Sequence, residues 1–401
     1  MLRIAVVASY FPTSAQPWQG RSAYQILRLL SRRAAVKVFY PCADYPAFLE
    51  PHNRGNSRFE ASPSALDVEV VYIPFPALPI ISRPFNGLLA AHAVFPQVRS
   101  FAPDLIFSFF LYPDGYAALK TGQKLSVPVT AMSIGSDLNR MPDPIYSHHV
   151  QTLLKGLDFL FTVSDELRNK ALSLGASQDK TRTILNGCDR SVFFVRNKHE
   201  ARRELRIEGT AKVILYVGRM DKKKGLRELV SAVSKLREGG LNAQAYLVGD
   251  GPDRLSVQRL ILSAKASGYI HLKRPCAFEE VPKWMAAADV VTLPSYMEGC
   301  PNTVLEAVNC GRPVVATNVG GIPELLSSEC GKLVPPRDPV ALANALRHVL
   351  QANWDSEAIS ESMRRGWDLV TEDLLETFES LASSRKLQLS AHSGEVGHRF
   401  R

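Results

Sequence analysis

Asp289-Val-Val-Thr-Leu-Pro294 followed by Ser295-Tyr-Met-Glu-Gly-Cys-Pro-Asn-Thr-Val-Leu-Glu306-Ala-Val-Asn-Cys-Gly-Arg-Pro-Val-Val-Ala316 decides the fold. The apolar run 289–294 reads as a buried strand, and a Gly/Pro/Asn loop follows it. Asn302 or Thr303 then caps a helix that stops at Gly311. A second buried strand, Pro313 to Thr317, comes next. The helix start therefore lies at the carboxyl end of a parallel strand, where open α/β sheets bind ligands. Backbone N–H groups and the helix dipole make that point an anion site. Glu298 in the loop and Glu306 about one turn into the helix bracket it. A carboxylate beside a phosphate accepts hydrogen bonds from sugar hydroxyls rather than holding the phosphate. The local pattern therefore describes a phosphate flanked by two polyols, as in a sugar nucleotide. The alternative is a Rossmann-like βαβ unit whose two Glu are surface residues.

Glu298 and Glu306, spaced as Glu-x7-Glu around Gly-x-Pro-Asn, resemble the signature of retaining GT-B glycosyltransferases of the large sucrose-synthase-like family four. The resemblance runs along roughly residues 1 to 380. It implies an α/β fold of two Rossmann-like doubly wound domains with an interdomain cleft. Length agrees, because 401 residues are long for one core. Apolar content of 46% and charged content of 22% are those of a globular protein. Six scattered cysteines without a CxxC pair fit a reducing compartment and give no zinc site. Met1 to Ser9 reads as a first strand rather than a signal peptide. No apolar run approaches the ~20 residues that span a bilayer.

The net charge of +9 favours an anionic partner or reflects a generally basic protein. No basic tract with interleaved aromatics points to nucleic acid. The resembled family often takes lipid-linked acceptors, which implies a cytoplasmic protein peripheral on the inner membrane.

In the first half, apolar strands at Leu2–Ser9, Val36–Tyr40, Leu66–Phe75, Pro103–Phe110, Val127–Ser133, Asp158–Ser164 and Lys180–Leu185 alternate with helices. That alternation gives a parallel doubly wound sheet. The loop Tyr10 to Gly20 is not a GxGxxG fingerprint, so a nicotinamide enzyme loses support. The resemblance places this loop at the active-site mouth, with Gly20 left from the family's glycines. Residues 41–65 read as a long loop open to acceptor contact. The hydrophobic stretch from Pro76 to Leu89, with Arg83 in it, is either a membrane-touching face or core. Relatives commonly carry His where Ile134 stands, whereas Gly135, Ser136 and Asp137 match them. Asp137 is the acceptor-side candidate, or a helix cap. Asn186-Gly-Cys-Asp189 resembles the family's element at the domain junction.

In the second half, Lys212–Met220 is a strand, and Gly218-Arg219-x4-Lys224-Gly225 matches a family motif. A diphosphate leaving group needs positive charge where its own charge develops. Arg219 and Lys224 meet that need, whereas Lys222 and Lys223 read as a solvated turn. Gly249-Asp-Gly251 matches the family's donor-side turn. Arg274 stands where relatives usually have Gly near the nucleobase, which leaves the base unassigned.

The implied domains are an acceptor-side domain 1–194, a donor-binding domain 195–370, a helix 371–385 returning to the first domain, and a flexible tail 386–401. The implied catalytic residues are Arg219, Lys224 and Glu298. The implied donor contacts are Gly20, Gly218, Arg219, Lys224, Gly249, Glu298, Asn302, Thr303, Val304 and Glu306. The donor is a UDP- or GDP-sugar and the acceptor a glycan or lipid-linked glycan. No cofactor is expected, and the lack of any Asp-x-Asp argues against a metal-held diphosphate. The rival functions are a GT-B sugar-nucleotide epimerase and a non-catalytic sugar-nucleotide-binding subunit.

Overall fold

The computed structural model of the chain describes residues 1–12, 19–46, 68–139, 144–207 and 209–398. It divides into two compact units, Met1–Leu185 with Trp367–Arg401, and Asn186–Gly366. The expected boundaries at 194/195 and 370/371 therefore shift to 185/186 and 366/367. Asn186 falls in the second unit because its side chain bonds there.

The first unit is built on seven parallel strands: β1 (Arg3–Val7), β2 (Ala35–Asp44), β3 (Glu69–Pro76), β4 (Leu105–Phe109), β5 (Val129–Ser133), β6 (Phe159–Thr162) and β7 (Thr181–Thr183). Their order in the sheet is β3-β2-β1-β4-β5-β6-β7. Every residue of β4 and β5 is buried, which is why both read as continuous apolar runs. Between them run helices with one apolar face. In α1 (Arg21–Leu30), Ala23, Ile26, Leu27 and Leu30 recur at helical spacing and are buried. Two further helices matter below, α2 (Asn86–Phe101) and α3 (Tyr116–Leu125), which pack on one another. β2 continues to Asp44, so the loop expected over 41–65 starts later. The rest of that loop, from 47, lies outside the described residues, as do 13–18 of the Tyr10–Gly20 loop.

The second unit holds six parallel strands: β8 (Lys212–Val217), β9 (Ala243–Val248), β10 (Ile270–Lys273), β11 (Val290–Leu293), β12 (Val314–Thr317) and β13 (Gly331–Val334). Their order is β10-β9-β8-β11-β12-β13. Asp289 accepts from the Val213 amide at 2.6 Å and from Arg202 at 2.6 Å, so it ties the start of β11 to β8.

The last helix, Trp367–His398, packs against α1 and β4 of the first unit. It runs through residues expected as a flexible tail, because Lys386 to His392 are helix-compatible and nothing breaks the helix before them. Phe378 on this helix is fully buried, with ring centroids 5.1 Å from Phe107 and 6.0 Å from Phe161. Phe378→Ala is expected to cost about 3–5 kcal/mol, read as a lowered urea midpoint. An unchanged midpoint would show that the helix does not hold the first unit together.

Candidate active site

Sheet order in the second unit reverses between β8 and β11, and a ligand crevice is expected at the carboxyl ends of those strands. Four loops are joined there through their backbones, those after β8, β9, β11 and β12. Met220 donates its amide to the Asp250 carbonyl at 2.8 Å, and Asp253 donates to Met220 at 3.1 Å. Tyr296 donates its amide to the Lys223 carbonyl at 2.7 Å, and Gly321 to Gly299 at 2.7 Å. These approaches need glycine at two positions. A Cβ on Gly225 would overlap the Pro294 carbonyl oxygen, and one on Gly249 would overlap that of Gly218. Both glycines have positive φ, at 62° and 143°.

The joined loops bring two of the three expected catalytic side chains together. Lys224 Nζ lies 2.6 Å from Glu298 Oε1, and the carboxylate side chain is only 10% exposed. Arg219 is not part of that pair. Its side chain is 72% exposed and stands 3.9 Å from Asp221. The backbone of Arg219 is fixed nonetheless, because the buried Tyr216 hydroxyl donates to its carbonyl at 2.7 Å. Tyr296, just before Glu298, is braced from behind. Its hydroxyl donates to Glu228 at 2.6 Å, and Arg337 stands 4.8 Å over its ring. Burial and the Glu228 bond push the Tyr296 phenol up to about 12, so it stays a donor.

The helix Asn302–Asn309 starts beside this pair. The expectation that Asn302 or Thr303 caps it is corrected. Pro301 occupies the N-cap position and makes no side-chain cap bond. The Asn302 side chain is held elsewhere, accepting from Asn186 Nδ2 at 2.8 Å. Val304 is buried, while Asn302, Thr303 and Glu306 share the half-buried face. Gly311, with φ 69°, ends the helix as expected.

Asn186 is the residue that sequence reasoning missed as part of this site. Its amide also donates to the Cys300 carbonyl at 2.9 Å, and its backbone N–H points at Cys300 Sγ. One side chain thus pins both ends of the turn before the helix. Its place in the Asn-Gly-Cys-Asp element was the available signal.

The first unit carries its own groups at the carboxyl ends of β1, β4 and β5. Asp137, expected to touch acceptor or sugar, is instead buried and occupied. It accepts from Ser133 Oγ, and from the amides of Gly135, Leu138 and Leu111, at 2.9–3.1 Å. Burial pushes its carboxyl up, against these bonds. Ile134 is half-buried directly after β5. Gly20 is the N-cap of α1, packed on the Tyr10 carbonyl. Asp114 is fully buried beside Ser9. One oxygen takes the Ser9 amide at 2.7 Å and its hydroxyl at 2.8 Å, and the other has no protein partner. Burial raises its pKa to about 7, opposed by the two Ser9 bonds. Among the described residues no group of three or more His, Cys, Asp or Glu is placed to hold a metal.

Comparison with known proteins assigns both halves. Residues 211–352 match the family model for glycosyl transferases group 1, and residues 19–192 the model for Glycosyltransferase Family 4. The chain is a GT-B glycosyltransferase. It is 25% identical to the Bacillus subtilis protein named as teichuronic acid biosynthesis glycosyltransferase TuaC, over 98% of this chain and 97% of that one. Sucrose-phosphate synthase of Thermosynechococcus elongatus superposes with a TM-score of 0.77 at 21% identity, over 96% of this chain and all of that one. HepE of Anabaena, solved with UDP, gives 0.73 at 18% identity, over 95% and 100%. Both structural matches show the two-unit fold of this glycosyltransferase.

Two outcomes follow for this glycosyltransferase. Asn186→Ala strands two acceptors and is expected to remove about 1–3 kcal/mol, read from urea unfolding; an unchanged midpoint would show that solvent replaces both bonds. Asp114 has a folded pKa near 7, above its unfolded value. The folded state therefore keeps a proton that the unfolded state has lost, and stability from this group falls as pH rises between about 4 and 7. Asp114→Asn removes that slope, so the variant should gain on the parent chain across the same window. Parallel unfolding curves at every pH would contradict it.

Proposed function

We propose that the protein transfers a sugar from a UDP- or GDP-sugar to a glycan or lipid-linked acceptor, with retention of configuration, at the inner-membrane surface during cell-surface polysaccharide assembly. The observation that carries this is the Lys224–Glu298 pair on the loop that leads into the start of the Asn302–Asn309 helix. Relatives supply the class of ligand, since HepE of Anabaena is solved with UDP and with UDP-glucose, and TuaC is named for teichuronic acid.

The roles follow from charge. Lys224 and the helix start stabilise the diphosphate as its charge develops, and Arg219, free to swing from solvent, adds a planar two-pronged contact. Glu298 accepts from the sugar ring hydroxyls once the donor draws Lys224 towards phosphate. Glu306, one turn along the same face as Asn302, accepts from the ribose. The bond between the anomeric carbon and the phosphate oxygen breaks as the acceptor oxygen bonds that carbon on the same face. The acceptor's proton passes to the departing phosphate oxygen, so no protein nucleophile is needed. No metal is required, because the protein supplies the positive charge.

Calorimetry with UDP and GDP in the presence of EDTA tests the donor side. One nucleotide should bind at micromolar concentration, and Arg219→Ala should weaken it about tenfold to a hundredfold. Glu298→Ala should leave that binding intact while slowing turnover of the matching sugar nucleotide about a hundredfold. No binding, or binding that appears only with added metal, would overturn the assignment.

A further inference from the structure

Between β3 and α2 the chain exposes large apolar side chains that the core does not use. Ile80 and Ile81 are each 72% exposed, and Phe85, Leu88 and Leu78 are exposed beside them. This is not a loose loop. Ser82 Oγ accepts from the Leu78 amide at 2.9 Å and donates to the Leu78 carbonyl at 2.8 Å, and the Ile81 amide donates to Pro79 at 2.7 Å. From behind, the Tyr112 hydroxyl bonds the carbonyls of Arg83 and Pro84. Ile80 also has φ 68°, a conformation that a β-branched residue strongly disfavours. The fold thus holds an isoleucine in a strained backbone in order to point it into water.

Among the described residues, the charges within the ridge, α2 and α3 are all positive, while the exposed Asp44 lies on the wall of the adjoining cavity. From Val70 to Pro103 there is no Asp or Glu, and α3 has none either. Arg83 lies within the ridge. Along α2 the exposed residues Phe85, Leu88, His92 and Arg99 recur at helical spacing, so apolar and basic groups share one face. Lys120 and Lys124 on α3 flank it, lying over the rings of Tyr116 and Phe95 at 5.3 Å rather than over carboxylates. The ridge also shares Leu78 and Ser82 with the wall of a cavity of about 640 Å³, so apolar surface continues inward.

We propose that this face, Leu78 to Leu88 with the basic side of α2 and α3, docks the protein on an anionic lipid bilayer. The apolar tips enter the acyl boundary, and Arg83, Arg99, Lys120 and Lys124 meet the phosphate headgroups. A second copy of the chain is a poor occupant, because a two-fold contact would bring the cluster of Arg83, Arg99, Lys120 and Lys124 against its own copy. The inference rests on the membrane-side reading of the acceptor but not on the donor chemistry.

The test is co-sedimentation of the full chain with phosphatidylcholine vesicles, with and without phosphatidylglycerol. The protein should pellet with the anionic vesicles only and be released by salt. Ile80→Glu/Ile81→Glu should lower partitioning about tenfold or more, and Arg83→Glu/Arg99→Glu should lower it on anionic vesicles. UDP or GDP calorimetry on each variant reports folding and keeps the donor reading separate. Equal pelleting of the parent chain and the isoleucine variant overturns the proposal. So does a parent chain that binds its nucleotide but no vesicle. A parent dimer that the isoleucine variant splits, without vesicle binding, would assign the face to a second copy instead.

Discussion

The second unit depends on one close approach, that of the 221–225 backbone to the 294–298 backbone. Gly225 sits against the Pro294 carbonyl, and the Tyr296 amide bonds the Lys223 carbonyl. With the two chains fixed, Lys224 has Glu298 within reach and pairs with it at 2.6 Å. An isolated charge at that depth would be penalised by desolvation, and each member of the pair gives the other a partner of opposite charge. In the proposed reaction the diphosphate takes the lysine as its partner and the carboxylate turns to hydroxyls, so that ligand binding exchanges the charges of the pair rather than creating them.

The two units repeat one topology and use it differently. Both sheets reverse order after the third strand from one edge, between β1 and β4 and between β8 and β11. In the second unit that point carries the Lys224–Glu298 pair and the start of the Asn302–Asn309 helix. In the first, the buried carboxyls of Asp137 and Asp114 are turned inward onto loop amides and Ser9. Four of the bonds to Asp137 and two to Asp114 go to their own loops and to Ser9, so these carboxyls shape loops.

Most strands were legible because parallel strands buried on both faces read as unbroken apolar runs. The donor-side motif was legible because glycines mark backbone approaches that no other residue permits. Three features were not. Asn302 has the residue type of a cap, but Pro301 takes the position and Asn186, over a hundred residues away, takes its side chain. Asp137 looks the same in sequence whether it faces a ligand or its own loop, and only burial decides. The last helix has no stop signal near 386, so polarity there was a poor guide to order.

The positive charge of the chain also divides into two kinds. The proposed donor site uses Arg219 and Lys224, placed by glycines on loops that converge. On the α2–α3 face Lys120 and Lys124 lie over aromatic rings rather than carboxylates. A sequence that agrees with its own fold at nearly every level departs from it where function intrudes. Ile80 departs twice, in exposure and in backbone conformation. Neither departure relieves the other, and a bonded turn maintains both. The proposed lipid surface, apolar within and negative at its edge, supplies a compensation for Ile80 that the described residues do not.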